Sequence, residues 1–162
     1  MEDIVIRLIE PKDNVALAKI IRTALKEFNA NKPGTVYFDE TTDHLFELFA
    51  ANKEAVYFVA VCNGNILGGA GIYPTEGLPD GVCELVKMYL HKTARGKGLG
   101  RLLIDTCLQK AKQMGYRQVY LETMPELNKA VTVYEKFGFR YLNAPMGASG
   151  HTGCNIWMLK EV

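Results

Sequence analysis

The chain has 162 residues, of which 48% are hydrophobic and 23% are charged, and its formal net charge is +1. This composition is typical of a soluble globular protein, and the near-zero charge argues against nucleic acid or an anionic membrane as the main partner. The length favours one domain over residues 1–162, and the longest apolar stretch, 55–62, is far shorter than the ~20 residues that span a bilayer.

The first part of the chain predicts a strand, two helices and a β-hairpin. The elements are a strand at 4–8, a helix at 13–28, a helix through 45–49, and strands at 56–62 and 66–73. Apolar residues at helical spacing define both helices, and we expect Thr41 or Thr42 to cap the second. The dipeptide Asn63-Gly64 between the two β-rich runs is typical of a hairpin turn.

The second part of the chain alternates between strands and helices. The elements are a strand at 82–90, a helix from about 99 to Gly115, a strand at 118–122, a helix at 128–137, and strands at 139–143 and 154–160. Glycines end both helices. This order predicts an α/β fold with a mixed sheet.

The N-terminus and the cysteines both favour an intracellular protein. The first residues lack the basic start and apolar core of a signal peptide, so we expect a cytoplasmic location. The four cysteines are far apart, and neither they nor the three histidines have zinc-ligand spacing. We therefore expect free, mostly buried thiols and no metal.

A glycine-rich segment before the long helix predicts an anion site. Gly96, Gly98 and Gly100 remove side chains where the helix begins, so backbone N–H groups and the positive end of the helix dipole face outward. Three cations flank the glycines: Arg95, Lys97 and Arg101. A ligand that carries phosphate is the expected occupant.

The spacing of the glycines indicates which ligand. Gly98 follows Lys97 where a Walker loop needs Ser or Thr, and the third glycine comes one residue too early for a dinucleotide fingerprint. Residues 95–100 instead fit Arg/Gln-x-x-Gly-x-Gly, which resembles the pyrophosphate loop of the GCN5-related N-acetyltransferases (GNAT family). The resemblance implies acetyl-CoA as co-substrate. A plain turn at the start of a helix is the alternative. The implied loop contacts are Arg95, Gly96, Lys97, Gly98, Leu99, Gly100 and Arg101.

A second segment, residues 130–139, resembles the family pattern Ala-x-x-x-Tyr-Glu-Lys-x-Gly-Phe. The resemblance implies that Tyr134 is the general acid that protonates the departing thiolate of CoA. The alternative is a core tyrosine, because Tyr134 lies on the apolar face of its helix. One departure is Leu127, which stands where the family often has an asparagine, with Asn128 one residue late. We do not carry over that asparagine contact.

The strand before the loop supplies the other implied contacts. By resemblance, the backbone of Met88, Tyr89 and Leu90 binds the pantetheine arm, and one N–H faces the thioester oxygen. Glu84 lies eleven residues before Arg95, where the histone-acetylating branch has its general base. The alternative for Glu84 is a structural partner for a basic residue.

Together these resemblances predict a GNAT domain over residues 1–162, with a mixed, mostly antiparallel twisted sheet flanked by helices. The predicted function is acetyl transfer to a primary amine of a small molecule or peptide by direct attack in a ternary complex. The alternative is a non-catalytic CoA-binding regulatory module. Tyr37, Tyr73 and His151 are the predicted acceptor contacts. We expect neither nucleic acid nor a membrane as partner, and a homodimer is the assembly to test.

Overall fold

The computed structural model describes residues 3–162, which contain one seven-stranded sheet. Its strands are β1 (Ile4–Leu8), β2 (Val56–Cys62), β3 (Asn65–Tyr73), β4 (Val82–Leu90), β5 (Gln118–Thr123), β6 (Arg140–Leu142) and β7 (Ile156–Glu161). The spatial order is β1-β2-β3-β4-β5-β7-β6. Only β4 and β5 are parallel; every other neighbouring pair is antiparallel. The predicted mixed, mostly antiparallel sheet is confirmed.

Four helices cover the two faces of the sheet. They are α1 (Asn14–Glu27), α2 (Leu45–Ala50), α3 (Leu99–Gln113) and α4 (Asn128–Lys136). Side chains alternate along β2, so Tyr57 and Val59 pack with α1 and α2, while Phe58 and Ala60 pack with α3 and α4. Within residues 3–162, no helix is both long enough and apolar enough to cross a membrane.

The start of α2 differs from the prediction. Thr41 and Thr42 lie in a preceding 3₁₀ turn, Glu40–Asp43, and α2 begins only at Leu45. The Asp39 side chain accepts a hydrogen bond from the Thr41 N–H, and the buried Thr42 hydroxyl donates to the Val36 carbonyl. The predicted threonine cap is therefore wrong, because both hydroxyls are used inside the earlier turn.

The sheet opens between β4 and β5. The two strands pair only where Val82–Glu84 faces Gln118–Tyr120. Beyond Glu84, the edge of β4 that faces β5 has no strand partner among residues 3–162. An unpaired strand edge exposes N–H and C=O groups that can bind an extended ligand.

A β-bulge shapes β4 just beyond this point. Gly71 pairs with Val86 and Gly69 pairs with Tyr89, so Lys87 and Met88 together face one residue of β3. Lys87 takes a positive φ of 53°, which is uncommon for a lysine.

The bulge is held from the neighbouring strands. The Tyr57 hydroxyl donates to the Lys87 carbonyl at 2.8 Å. The Tyr57 ring lies against the glycine backbone of β3, and a Cβ added at Gly69 or Gly71 would come within 2.5 or 2.6 Å of that ring. The glycines thus provide the space that lets Tyr57 reach the bulge.

Candidate active site

A cavity of about 440 Å³ lies where β4 and β5 separate. Its walls come from the second half of β4, the end of β5, the glycine loop and the inner face of α4. Phe28, at the end of α1, and Leu127, at the start of α4, also border it. The cavity therefore joins the two segments that the sequence motifs singled out.

The glycine loop forms an open backbone cradle at one end of this cavity. Gly98 is the N-cap of α3 with φ of 80°, and Gly96 has φ of 76°. No atom lies within 4 Å of a Cβ built at either position. The first helical bond runs from the Leu102 N–H to the Gly98 carbonyl, which leaves the preceding N–H groups of the helix without helical acceptors. This geometry suits an anion.

Most of the predicted cofactor residues border the large cavity. They are Met88, Tyr89, Leu90, Arg95, Gly96, Gly98, Gly100 and Arg101. Lys97 and Leu99 do not border it. Leu99 is buried in the hydrophobic core that α3 forms with the sheet.

Arg95 has structural partners of its own. Its guanidinium donates to the Leu90 carbonyl at 3.0 Å and to Glu27 at 2.8 Å, and it lies 4.9 Å from the centre of the Phe28 ring. These contacts tie the glycine loop to β4 and α1. The exposed Lys97 and Arg101 are the flanking cations without such partners among residues 3–162.

Tyr134 lies in the α4 wall of the large cavity with 7% of its surface exposed. Its ring packs edge-on against Phe139 at 5.8 Å. Within the described part of the chain its hydroxyl has no hydrogen-bond partner. Burial raises the pKa of Tyr134 well above the ordinary value for a phenol, so the hydroxyl keeps its proton at any physiological pH.

A smaller cavity of about 40 Å³ adjoins the large one next to the β4 bulge. Glu84, Val36, His151 and Cys154 border this smaller cavity alone. The two cavities share a wall formed by Leu85, Lys87, Tyr89, Glu122, Thr123 and Leu127. Residues that border either cavity therefore lie next to the same short stretch of β4.

Glu84 is the most deeply placed acid of the smaller cavity, with 3% of its surface exposed. The Thr75 hydroxyl donates to its Oε1 at 2.6 Å, and its other oxygen has no donor among residues 3–162. Burial raises the pKa of Glu84 to about 7, nearby Glu122 adds to the increase, and the Thr75 hydrogen bond partly offsets it. Glu84 can therefore gain or lose a proton near neutral pH.

Glu122, at the end of β5, borders both cavities. The Tyr120 hydroxyl donates to its Oε2 at 2.7 Å, and the Ser149 hydroxyl donates to its Oε1. Each of those hydroxyls also accepts a backbone N–H, from Met146 and from His151 respectively. Both oxygens of Glu122 therefore have a hydroxyl partner, an arrangement that suits a carboxylate.

Asp39 contacts two residues that border the smaller cavity, Lys87 and His151. Asp39 contacts His151 at 3.3 Å and the buried Lys87 ammonium at 3.7 Å. The hydrogen bond from His151 is the largest cause of a pKa of Asp39 far below its usual range. Burial lowers the pKa of Lys87, and Asp39 and Glu84 oppose that change.

The predicted acceptor residues lie in different places. His151 borders the smaller cavity, as the loop location predicts. Tyr37 and Tyr73 lie outside the walls of both cavities, where Tyr37 packs on Phe38 and Tyr73 packs on Phe49.

Three residues of the site were missed by the sequence analysis: Asp39, Lys87 and Glu122. A feature of the sequence could have found two of them. Lys87 and Glu122 are charged residues inside strands that are rich in apolar residues, and such residues are often functional when they are buried.

The sequence matches the Acetyltransferase (GNAT) family over residues 20–139. The chain belongs to this family. It is 36% identical over 160 residues to the uncharacterized N-acetyltransferase YjgM of Escherichia coli (strain K12), with 98% of this chain and 95% of YjgM covered.

Solved GNAT structures have the same fold as this GNAT chain. An acetyltransferase of the GNAT family from Staphylococcus aureus Mu50 superposes with a TM-score of 0.86 at 20% identity, covering 98% of this chain and 99% of that one. The PaiA N-acetyltransferase from Thermoplasma acidophilum, solved in complex with coenzyme A, gives a TM-score of 0.78 at 18% identity, with 99% of each chain covered. The predicted family and fold are confirmed.

Proposed function

We propose that this GNAT protein is an acetyl-CoA-dependent N-acetyltransferase that acetylates a primary amine of a small molecule or peptide. The observation that carries the proposal is the shared wall of β4, with Glu84 on one side and Tyr134 on the other. Transfer of an acetyl group to an amine needs a base at the acceptor and an acid at the leaving group. Glu84 in the smaller cavity and Tyr134 in the larger cavity are candidates for these two roles.

The larger cavity fits acetyl-CoA. The cradle at Gly96 and Gly98 has open space and helix N–H groups for a pyrophosphate. The unpaired edge of β4 beyond Glu84 offers backbone groups to the amides of a pantetheine arm. Bound there, acetyl-CoA would supply an acetyl group activated as a thioester. The solved coenzyme A complex of PaiA supports the same ligand class.

Glu84 is proposed to remove the proton that the amine carries. An alkylamine has a pKa near ~10.4 and is mostly protonated at neutral pH, so it must lose a proton before its nitrogen can attack. With a pKa raised to about 7, Glu84 is partly ionised at neutral pH and can accept that proton at its free oxygen. The neutral nitrogen would then attack the thioester carbon, so that the C–N bond forms and the C–S bond breaks, and the nitrogen would release its second proton to solvent to give the amide.

Tyr134 is proposed to serve the departing sulfur. A thiol titrates near ~8.5 in water, and burial raises the pKa of a thiol as it raises that of Tyr134. The phenol therefore donates a hydrogen bond to the sulfur as charge develops there, and it gives up its proton as the C–S bond breaks. A backbone N–H of β4 would stabilise charge on the carbonyl oxygen, a role worth ~3 kcal/mol in comparable sites.

The test combines cofactor binding with a pH profile. We expect acetyl-CoA to bind in calorimetry, and we expect thiol release with an alkylamine, with kcat/KM rising as pH passes about 7. Glu84→Gln should lower kcat/KM at pH 7 by about 10²-fold, and the loss should shrink toward pH 10, where a much larger fraction of the amine is neutral. Glu76→Gln, an exposed glutamate nearby, is the control and should match the wild type.

Two outcomes would contradict parts of the proposal. A Glu84→Gln profile parallel to the wild type from pH 6 to 10 would make Glu84 a structural residue. Tight binding of acetyl-CoA without thiol release for any amine would favour the non-catalytic CoA-binding module.

A further inference from the structure

Two carboxylates face one space at the acceptor side of the shared wall. The ligand atoms of Glu84, Glu122 and His151 lie within 4.8 Å of one another. A hydrogen bond from nitrogen to oxygen spans roughly 2.7–3.2 Å, so one nitrogen placed between these oxygens can contact both acids. The spacing therefore suits a single ammonium group.

The hydrogen bonds at these acids leave room for that group. Thr75 occupies one oxygen of Glu84, and the other oxygen has no donor among residues 3–162; the Glu84 side chain borders the smaller cavity and is 3% exposed. Tyr120 and Ser149 hold the Glu122 carboxyl group in place. An ionised carboxylate can accept about four hydrogen bonds, so Glu122 has capacity left for a ligand donor.

The other charges of the site do not cancel those of the two glutamates. Three carboxyl groups, those of Asp39, Glu84 and Glu122, lie around one lysine, Lys87, and one histidine, His151. Acidic side chains therefore outnumber the basic ones on the acceptor side. A second carboxylate brought in by the acceptor would be repelled in this partly buried setting.

We propose that Glu84 and Glu122 together bind the acceptor as an ammonium ion, so that the acceptor class is a primary amine without a carboxylate on the adjacent carbon. The inference rests on the proposed function and names its substrate class. Glu122 is the residue that sets this specificity, and Glu84 then takes one proton from the bound nitrogen. Glu122 keeps its negative charge throughout.

Matched pairs of acceptors test the charge preference of the wild-type protein. We compare isobutylamine with valine and phenethylamine with phenylalanine, because each pair differs in one carboxylate. Thiol release from acetyl-CoA is measured at pH 7.5. We expect kcat/KM to be at least tenfold higher for the amine of each pair. Equal values, or a preference for the amino acids, would overturn the inference while leaving acetyl transfer intact.

Glu122→Gln tests the residue. It keeps the size of the side chain and removes its charge, so we expect KM for the amine to rise at least tenfold. The expected change in kcat at saturating amine is less than threefold, with unchanged acetyl-CoA affinity. The preference for amine over amino acid should fall at least fivefold. Glu161→Gln, at the opposite end of the β5–β7 pair, is the control and should keep the wild-type values.

Ser149→Ala distinguishes an effect of the Glu122 charge from an effect of the hydrogen bond that Glu122 makes to the loop. It removes one hydrogen bond to Glu122 and leaves the carboxylate, so the preference for the amine should persist. If Ser149→Ala lost the preference as fully as Glu122→Gln does, Glu122 would act only by positioning the loop. Micromolar binding of Zn²⁺ that Glu122→Gln abolishes, without an amine preference, would reassign the cluster to a metal. Failure of every amine to release thiol would instead overturn the proposed function.

Discussion

The two sides of the shared wall are built in different ways. The cofactor side comes from one continuous stretch, β4 and the glycine loop, and from α4, and much of it is backbone. The acceptor side is assembled from side chains of distant segments: Asp39, Glu84, Glu122 and His151. A backbone site depends on where glycines stand, whereas a side-chain site depends on which loops the fold brings together.

The difference has an energetic counterpart. The cofactor side exposes helix N–H groups and a strand edge to the cavity and buries little charge there. The acceptor side buries Glu84 and Lys87 almost completely. Burial of a charged group costs free energy unless partners compensate for it. We therefore expect mutations on the acceptor side to change stability, and mutations on the cofactor side mainly to change binding and rate.

The largest expected effect is on stability and concerns Glu84. Its pKa rises from 4.5 to about 7 on folding, so its contribution to stability is present below about pH 4.5 and is lost as pH rises through 7. Glu84→Gln removes that loss, and the variant should be more stable than the wild type at pH 8 by up to about 3 kcal/mol. Urea unfolding at pH 4.5 and 8 measures the difference.

The control for this measurement is Glu76→Gln, which replaces an exposed glutamate and should show no such pH dependence. Equal stability of the wild type and Glu84→Gln at pH 8 would contradict the contrast between the two sides.

Tyr134→Phe tests the chemistry of the cofactor side. The change keeps the ring and its packing on Phe139 and removes the only proton that Tyr134 can give. We expect kcat to fall about 10²-fold, with acetyl-CoA affinity nearly unchanged. Single-turnover thiol release combined with calorimetry separates the two quantities. An unaltered rate of the chemical step would leave Tyr134 a core residue.

Gly98→Glu tests the backbone cradle. The added carboxylate enters the open space at the start of α3 and repels a pyrophosphate, so acetyl-CoA should bind at least tenfold more weakly, or ~1.4 kcal/mol. Gly64→Glu is the matched control, because Gly64 also has φ of 80° and open space, but lies in the β2–β3 hairpin. If both variants lost the same affinity for acetyl-CoA, backbone strain would explain the loss, and the assignment of the pyrophosphate site to Gly98 would be contradicted.

The smallest effect is expected at Asp39. Asp39→Asn removes the charged partner of Lys87 and His151, two residues that border the smaller cavity. We expect KM for the amine to rise about threefold, because these two side chains are then held less firmly. Since its pKa is lowered on folding, Asp39 stabilises the protein above its unfolded pKa and stops doing so in acid. Asp43→Asn, which breaks an exposed pair with Arg22, should leave KM unchanged.

The sequence predicted those parts of the molecule that depend on local pattern. Helical spacing and the Asn63-Gly64 turn located α1 and the β2–β3 hairpin to within one residue or so at their ends. The α2 cap failed, because the Thr42 hydroxyl turns toward Val36 in a fold-dependent contact. No local pattern predicts the bulge at Lys87, since it arises from the pairing of β4 with β3.

The candidate site follows the same division. The glycine loop could be placed from residue spacing, but the partners of Arg95 could not, because Glu27 lies 68 positions away in sequence. Tyr37 and Tyr73 were chosen because the family resemblance places the acceptor pocket beside the loop at 32–39 and the strand near Tyr73, and both pack on phenylalanines outside the walls of the cavities. The charge of Glu122 within β5 was a signal in the sequence, but its closeness to Glu84 follows from the pairing of β5 with β4.

The tyrosine that supports the bulge has a consequence for mutational scans of this protein. A methyl group at Gly69 or Gly71 would collide with the Tyr57 ring and break its hydrogen bond to the Lys87 carbonyl. The resulting shift would reach the wall between the two cavities, although β3 itself borders neither of them. Alanine at these two positions should therefore reduce activity as an active-site substitution does, and a Tyr57→Phe background would show whether the effect depends on the hydrogen bond from the Tyr57 hydroxyl.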